Sequence, residues 1–174
     1  MTKRIEGSDS VPVFAFSTVS ANRIDGGLIN NSDLPVLNLT IQTINYDEFL
    51  TCRQTTIGVR RVIEKSCFDN CSNPLVFEDY ISPHSMVKFS LPGFKGIENK
   101  GRYVVNLLLK GKIFEEQILY GHKDKLYYIA VRIVEYRNNK AVSNKVRTNT
   151  APYHIDWDKE FPIQNLASIR DIQF

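Results

Sequence analysis

The chain has 174 residues, 43% hydrophobic and 24% charged, with a formal net charge of +3. That composition excludes wholesale disorder, and the length fits one compact domain or one domain with a tail. No apolar run approaches the ~20 residues that a membrane-spanning helix needs.

Residues 1–34 are rich in Ser, Asn, Asp and Gly, with turn signals at Gly26-Gly27 and Asn30-Asn31-Ser32-Asp33. They predict a flexible N-terminal arm in which Val13, Phe14 and Phe16 dock, ahead of a single domain over residues 35–174. Pro35 opens the first regular element. From Val36 to Ile44, Leu37, Leu39 and Ile41 alternate with Asn38, Thr40 and Gln42, the period of a half-buried strand. Asn45 reads as a helix N-cap with Glu48 three residues on, which predicts a helix over 46–65. Residues 66–84 read as a connector.

The following stretch is strongly β. Val87, Phe89 and Leu91 alternate with Lys88 and Ser90 up to Pro92-Gly93. Tyr103–Leu109, Ile113–Tyr120, Leu126–Tyr136 and Ala141–Thr148 are separated by short turns at Lys110-Gly111-Lys112, Gly121–Lys125 and Asn138-Asn139. This pattern predicts an antiparallel meander of four consecutive strands, with the Val87 strand as a fifth member. After Pro152, Trp157, Phe161, Ile163, Leu166, Ile169 and Phe174 predict a tail that packs back with a short helix. The predicted class is α+β, a mostly antiparallel β-meander with one or two packed helices.

Charge is unevenly distributed. Residues 86–148 carry 13 Lys and Arg against five acids, a balance of +8, whereas residues 1–85 balance to −3 and residues 149–174 to −2. Successive turns of a meander alternate between its ends. One end should gather Lys110, Lys112, Arg137 and Lys140, and the other Arg102, Lys123, Lys125 and Arg147. Two readings fit: solvated turns whose lysines keep sheet edges from pairing, or a surface attracting nucleic acid, an acidic protein or an anionic membrane. Tyr103, Phe114, Tyr120, Tyr127, Tyr128 and Tyr136 interleave with these cations. Strand aromatics of this kind usually serve the core rather than base stacking.

The three cysteines, an odd number, argue against a disulfide framework and for a reducing compartment, with all three thiols free. The basic start and the apolar Val11–Phe16 stretch imitate a signal peptide. Glu6, Asp9, Pro12 and Ser17 break that pattern, so secretion is not expected. Cys52, Cys67, Cys71 and His84 have the ligand types of a zinc site, and Cys67-x3-Cys71 is an acceptable pair, but Cys52 falls within the expected helix and no second paired ligand follows. His154, Asp156 and Asp158 offer a hard cation too few oxygens. No nucleophile elbow or phosphate loop is present. The expectation is therefore no enzyme, no metal, no cofactor and no small-molecule substrate.

Two stretches resemble known families. Leu126–Tyr136 followed by Arg137–Val146 looks like the last two strands of a fibronectin type III domain, which implies a β-sandwich interaction or capsid-decoration module. The whole-chain layout is similar to that of rhabdovirus matrix proteins, especially the short ones of plant cytorhabdoviruses. The corresponding stretches are Val36–Ile44, Tyr46–Lys65, Tyr103–Tyr120 and the tail after Pro162. The arm has neither the lysine-rich run nor the Pro-Pro-x-Tyr motif of animal-virus members. This second resemblance implies a virion structural protein in the host cytoplasm and at the inner membrane face. It would condense the viral nucleocapsid and its RNA, touch anionic membrane lipids peripherally through its basic surface, and self-associate.

Overall fold

The computed structural model describes residues 10–20, 23–52, 54–57, 60–93, 100–124 and 126–165. Its first two strands arise from the segment expected to be an arm. β1 (Val13–Ser20) and β2 (Arg23–Ile29) pair antiparallel. The expectation of a flexible arm through residue 34 is corrected accordingly. Phe14 and Leu28 are buried in the core, and burying such a side chain contributes about 1.5–3 kcal/mol. Gly26 and Gly27 are not a turn but mid-strand positions: a Cβ at Gly26 would overlap the Phe14 ring. Asn30 fixes the exit from the hairpin, its Nδ2 donating to the carbonyls of Leu34, Ile81 and Ser82.

β3 (Val36–Asn45) runs as its alternation predicts, and Asn45 caps the helix that follows. Its Oδ1 accepts the Glu48 N–H at 3.1 Å. That helix, α1 (Tyr46–Thr51), is far shorter than the expected 46–65. Beyond it Thr55, Thr56, Ile57, Val62 and Ile63 are β-branched, lose rotamer freedom in a helix and favour strands. They form the antiparallel pair β4 (Gln54–Ile57) and β5 (Arg60–Ile63). The expected connector holds α2 (Lys65–Cys71) and β6 (Val76–Ile81). Cys52 and Cys67, with Cα atoms 5.8 Å apart, are joined by a disulfide, which corrects the expectation of three free thiols. Cys71 remains a buried thiol, and burial pushes its pKa up to about 11.

The Val87 strand is β7 (Met86–Ser90), and it pairs with β2 rather than joining the meander. The meander itself is β8 (Gly101–Leu109), β9 (Lys112–Lys123), β10 (Leu126–Arg137) and β11 (Lys140–Asn149). Lys110 and Gly111 (φ 49° and 74°), and Asn138 and Asn139 (φ 49° and 60°), supply the left-handed pairs of two-residue hairpin turns. β3 and β6 extend the meander to a six-stranded sheet in the order β11-β10-β9-β8-β3-β6. The order in the smaller sheet is β1-β2-β7.

The large sheet is covered on both faces. On one, Val105, Leu107, Ile118 and Val131 meet Phe14 and Leu28 of the small sheet. On the other, Ile44, Val104, Leu119 and Ala130 meet Tyr46, Phe49, Phe68 and Phe161. Phe161 follows α3 (Trp157–Glu160), so the segment after Pro152 packs back as predicted. Leu166, Ile169 and Phe174 lie outside the described residues. The result is a mostly-β α+β fold. Its helical layer distinguishes it from the two-layer sandwich that the fibronectin resemblance implies. Among the described residues no helix is long and apolar enough to cross a membrane.

Candidate anion-binding surface

Both hairpin turns of the meander's basic region lie at the same end of the sheet. Ile113 faces Tyr136, while Lys112 and Arg137 stand one step further out on adjacent strands. Lys110, Lys112, Arg137 and Lys140 are all exposed, as expected for that end. Arg137 is already engaged, its Nη2 2.8 Å from Glu135 Oε1. An exposed pair of this kind contributes little to stability, but it removes one cation from the surface.

Along β11 the alternation places Ser143, Lys145 and Arg147 on one face. Ser143 is opposite Glu135, and Lys145 is opposite Ile133. With Lys112 and Phe114 of β9, and Ser10 and Val11 ahead of β1, they line an open cleft of about 340 Å³. The structure thus brings Lys112 and Arg147 together, although turn counting assigns them to opposite ends. Turn counting also misses Lys145 and the flanking Glu135. The available signal is the Ser143-x-Lys145-x-Arg147 alternation.

Glu116 lies in the core between Phe114 and Ile118 and is fully buried. Its Oε2 accepts the Phe14 N–H at 2.9 Å, and Oε1 has no partner among the described residues. Burial raises its pKa to about 8, against the pull of the Phe14 N–H and the Arg147 charge. It is therefore mainly protonated at neutral pH and leaves the charge of the cleft cations largely uncancelled.

The other basic end does not assemble. Arg102 holds Asp47, with Nε 2.7 Å from Oδ1, donates to the Glu160 carbonyl, and lies 5.4 Å over the Tyr46 ring. These contacts tie Arg102 into the fold, apart from the cleft that Lys112 and Arg147 line. A neighbouring cleft lined by Asp47, Lys100, Arg102, Lys159 and Glu160 mixes both signs, and Lys100 pairs with Glu160. Lys123 is exposed beside Asp124, and Lys125 lies outside the described residues.

Of the six meander aromatics only Tyr127 is exposed, and its ring meets that of His122. Asp156 caps α3 and Asp158 engages Arg132 at 3.3 Å, so the His154–Asp158 cluster is divided between separate tasks. His84 contacts Asp33 at 3.0 Å. Among the described residues no group of three or more His, Cys, Asp and Glu could hold a metal ion.

The geometry thus defines a mostly-β α+β protein with an open basic cleft among its described residues. No protein-family model, curated protein or solved structure matches the chain.

Proposed function

We propose that the chain is a non-enzymatic structural protein of the matrix type, which holds an anionic phosphate surface through the basic end of its large sheet. The observation that supports this reading is the gathering of Lys112, Lys145 and Arg147 around one open cleft, with Lys140 exposed nearby. Each cation near an anionic membrane contributes about 1 kcal/mol, so four give roughly 4 kcal/mol, on the order of a thousandfold in affinity. In this role it acts within the virion and at the inner membrane face, not as a secreted protein. There it links the nucleocapsid and its RNA to anionic lipid, associates with itself, and uses no cofactor or small-molecule substrate.

The test is co-sedimentation with anionic vesicles, neutral vesicles and RNA across a salt series. Binding should require anionic partners and fall steeply with salt. Reversing Lys112, Lys140, Lys145 and Arg147 to Glu should abolish it with the fold intact. Undiminished binding by the reversed variant, or none by the wild type, would refute the proposal.

The Cys52–Cys67 disulfide and the small sheet stacked on the large one favour a second reading: an interaction or decoration module of an oxidising compartment. Failure to bind anionic vesicles or RNA, with the disulfide retained in the protein recovered from its source, would support it.

A further inference from the structure

Among the described residues the six-stranded sheet has two edge strands with no further strand beside them, β6 and β11. Of the nine exposed large apolar side chains among the described residues, five stand on these two strands: Val76, Phe77 and Tyr80 on β6, and Val142 and Val146 on β11. Phe77 is 70% exposed. The edges carry opposite charge, Glu78 and Asp79 on one and Lys140, Lys145 and Arg147 on the other. Neither Glu78 nor Lys145 has an ion-pair partner among the described residues.

We infer that β6 of one molecule adds to β11 of a second copy, extending the sheet head to tail. Every neighbouring pair in this sheet is antiparallel and there are six strands, so β6 and β11 run in opposite directions. A second copy displaced sideways in the plane of the sheet therefore presents its β6 antiparallel to β11, with the same faces on the same sides.

The register is set by two bulges. Pairing of β10 with β11 shifts at Val131/Arg132 and at Glu135/Tyr136, which leaves Ser143–Val146 as the uninterrupted run. Laid against Phe77–Tyr80, it brings Lys145 opposite Glu78 and Val146 opposite Phe77. Both pairs match in face. Glu78 and Lys145 lie on the small-sheet side, beside Leu39 and Ile133. Phe77 and Val146 lie on the helical side, beside Thr40 and Arg132. A symmetric β6–β6 pairing centred on this strand would instead set Glu78 against Asp79 of the other copy, and like charges directly opposite destabilise a sheet. Because the contact is heterologous and sheets twist, it generates an open helical assembly rather than a closed dimer. The inference names a contact for the self-association proposed above and does not depend on anion binding; it engages Lys145 with a neighbouring copy and leaves Lys112, Lys140 and Arg147 to the anion.

Sedimentation velocity over a concentration series tests the contact, using wild type, Glu78→Lys and Lys145→Glu, with circular dichroism to confirm folding. Wild type should form a concentration-dependent ladder. Each single variant should associate at least about tenfold more weakly. An equimolar mixture of the two should reassemble, since each edge of one variant is then complementary to an edge of the other. A monomeric wild type, single variants that associate as wild type does, or a mixture that stays apart would each overturn the contact. If Glu78→Lys does not fold, Val146→Lys opposite Phe77 must weaken the ladder in its place. Glu78→Lys leaves the cleft untouched and should still bind anionic vesicles, so loss of assembly and loss of anion binding are read separately.

Discussion

Replacing Glu116 with Gln should remove a pH dependence that this one buried group imposes on stability. With its pKa raised from 4.5 to about 8, the folded chain holds a proton at Glu116 that the unfolded chain has released. The group's contribution is complete below pH 4.5 and is lost as pH rises through 8. Between those limits stability falls by roughly 1.4 kcal/mol per pH unit, about 5 kcal/mol in all. In Glu116→Gln the side-chain oxygen can still accept the Phe14 N–H, while the new amide nitrogen takes the place of an Oε1 that has no partner among the described residues. That buried amide costs about 1–3 kcal/mol at every pH. Wild type should therefore be the more stable protein in mild acid and the less stable one in mild base. Urea unfolding followed by Trp157 fluorescence, from about pH 5 to pH 8, gives the two curves. A constant difference between wild type and Glu116→Gln across that range would refute the burial argument.

Replacing Cys52 and Cys67 together with Ser should cost about 3 kcal/mol, the chain entropy of a loop with sequence separation 15, read from urea midpoints. The denatured, unreduced wild type should titrate one thiol rather than three, and Cys71 should resist thiol reagents while folded. Arg102→Met should lower stability by about 2 kcal/mol through the loss of its charged hydrogen bonds to Asp47. Vesicle binding should be unchanged, and a drop with the fold intact would return Arg102 to the binding surface.

The legible parts of the fold are those whose cause is local. The meander follows from alternation and from turn pairs that tolerate positive φ, and α1 follows from Asn45 accepting the Glu48 N–H. The expected extension of α1 fails because a cap fixes where a helix starts, not where it stops. The β-branched residues after Thr51 carry the opposite preference. The arm fails for a different reason. Gly26 and Gly27 carry the same composition in a turn as in a strand that must let Phe14 lie across it. Only the packing partner, distant in sequence, distinguishes the two.

The same distinction governs the charges. Turn counting gives an end of the sheet but not a face, which is why it separates Lys112 from Arg147 and passes over Lys145. Face follows from alternation within a strand, and Ser143, Lys145 and Arg147 obey it. Whether a cation is available is a third and non-local matter. Arg102 and Lys112 look alike in sequence, but Asp47, 55 residues earlier, engages the first, and no acid among the described residues pairs with the second. Net charge therefore locates the basic part of this chain, strand alternation locates its face, and only the long-range ion pairs decide which cations remain to meet a partner.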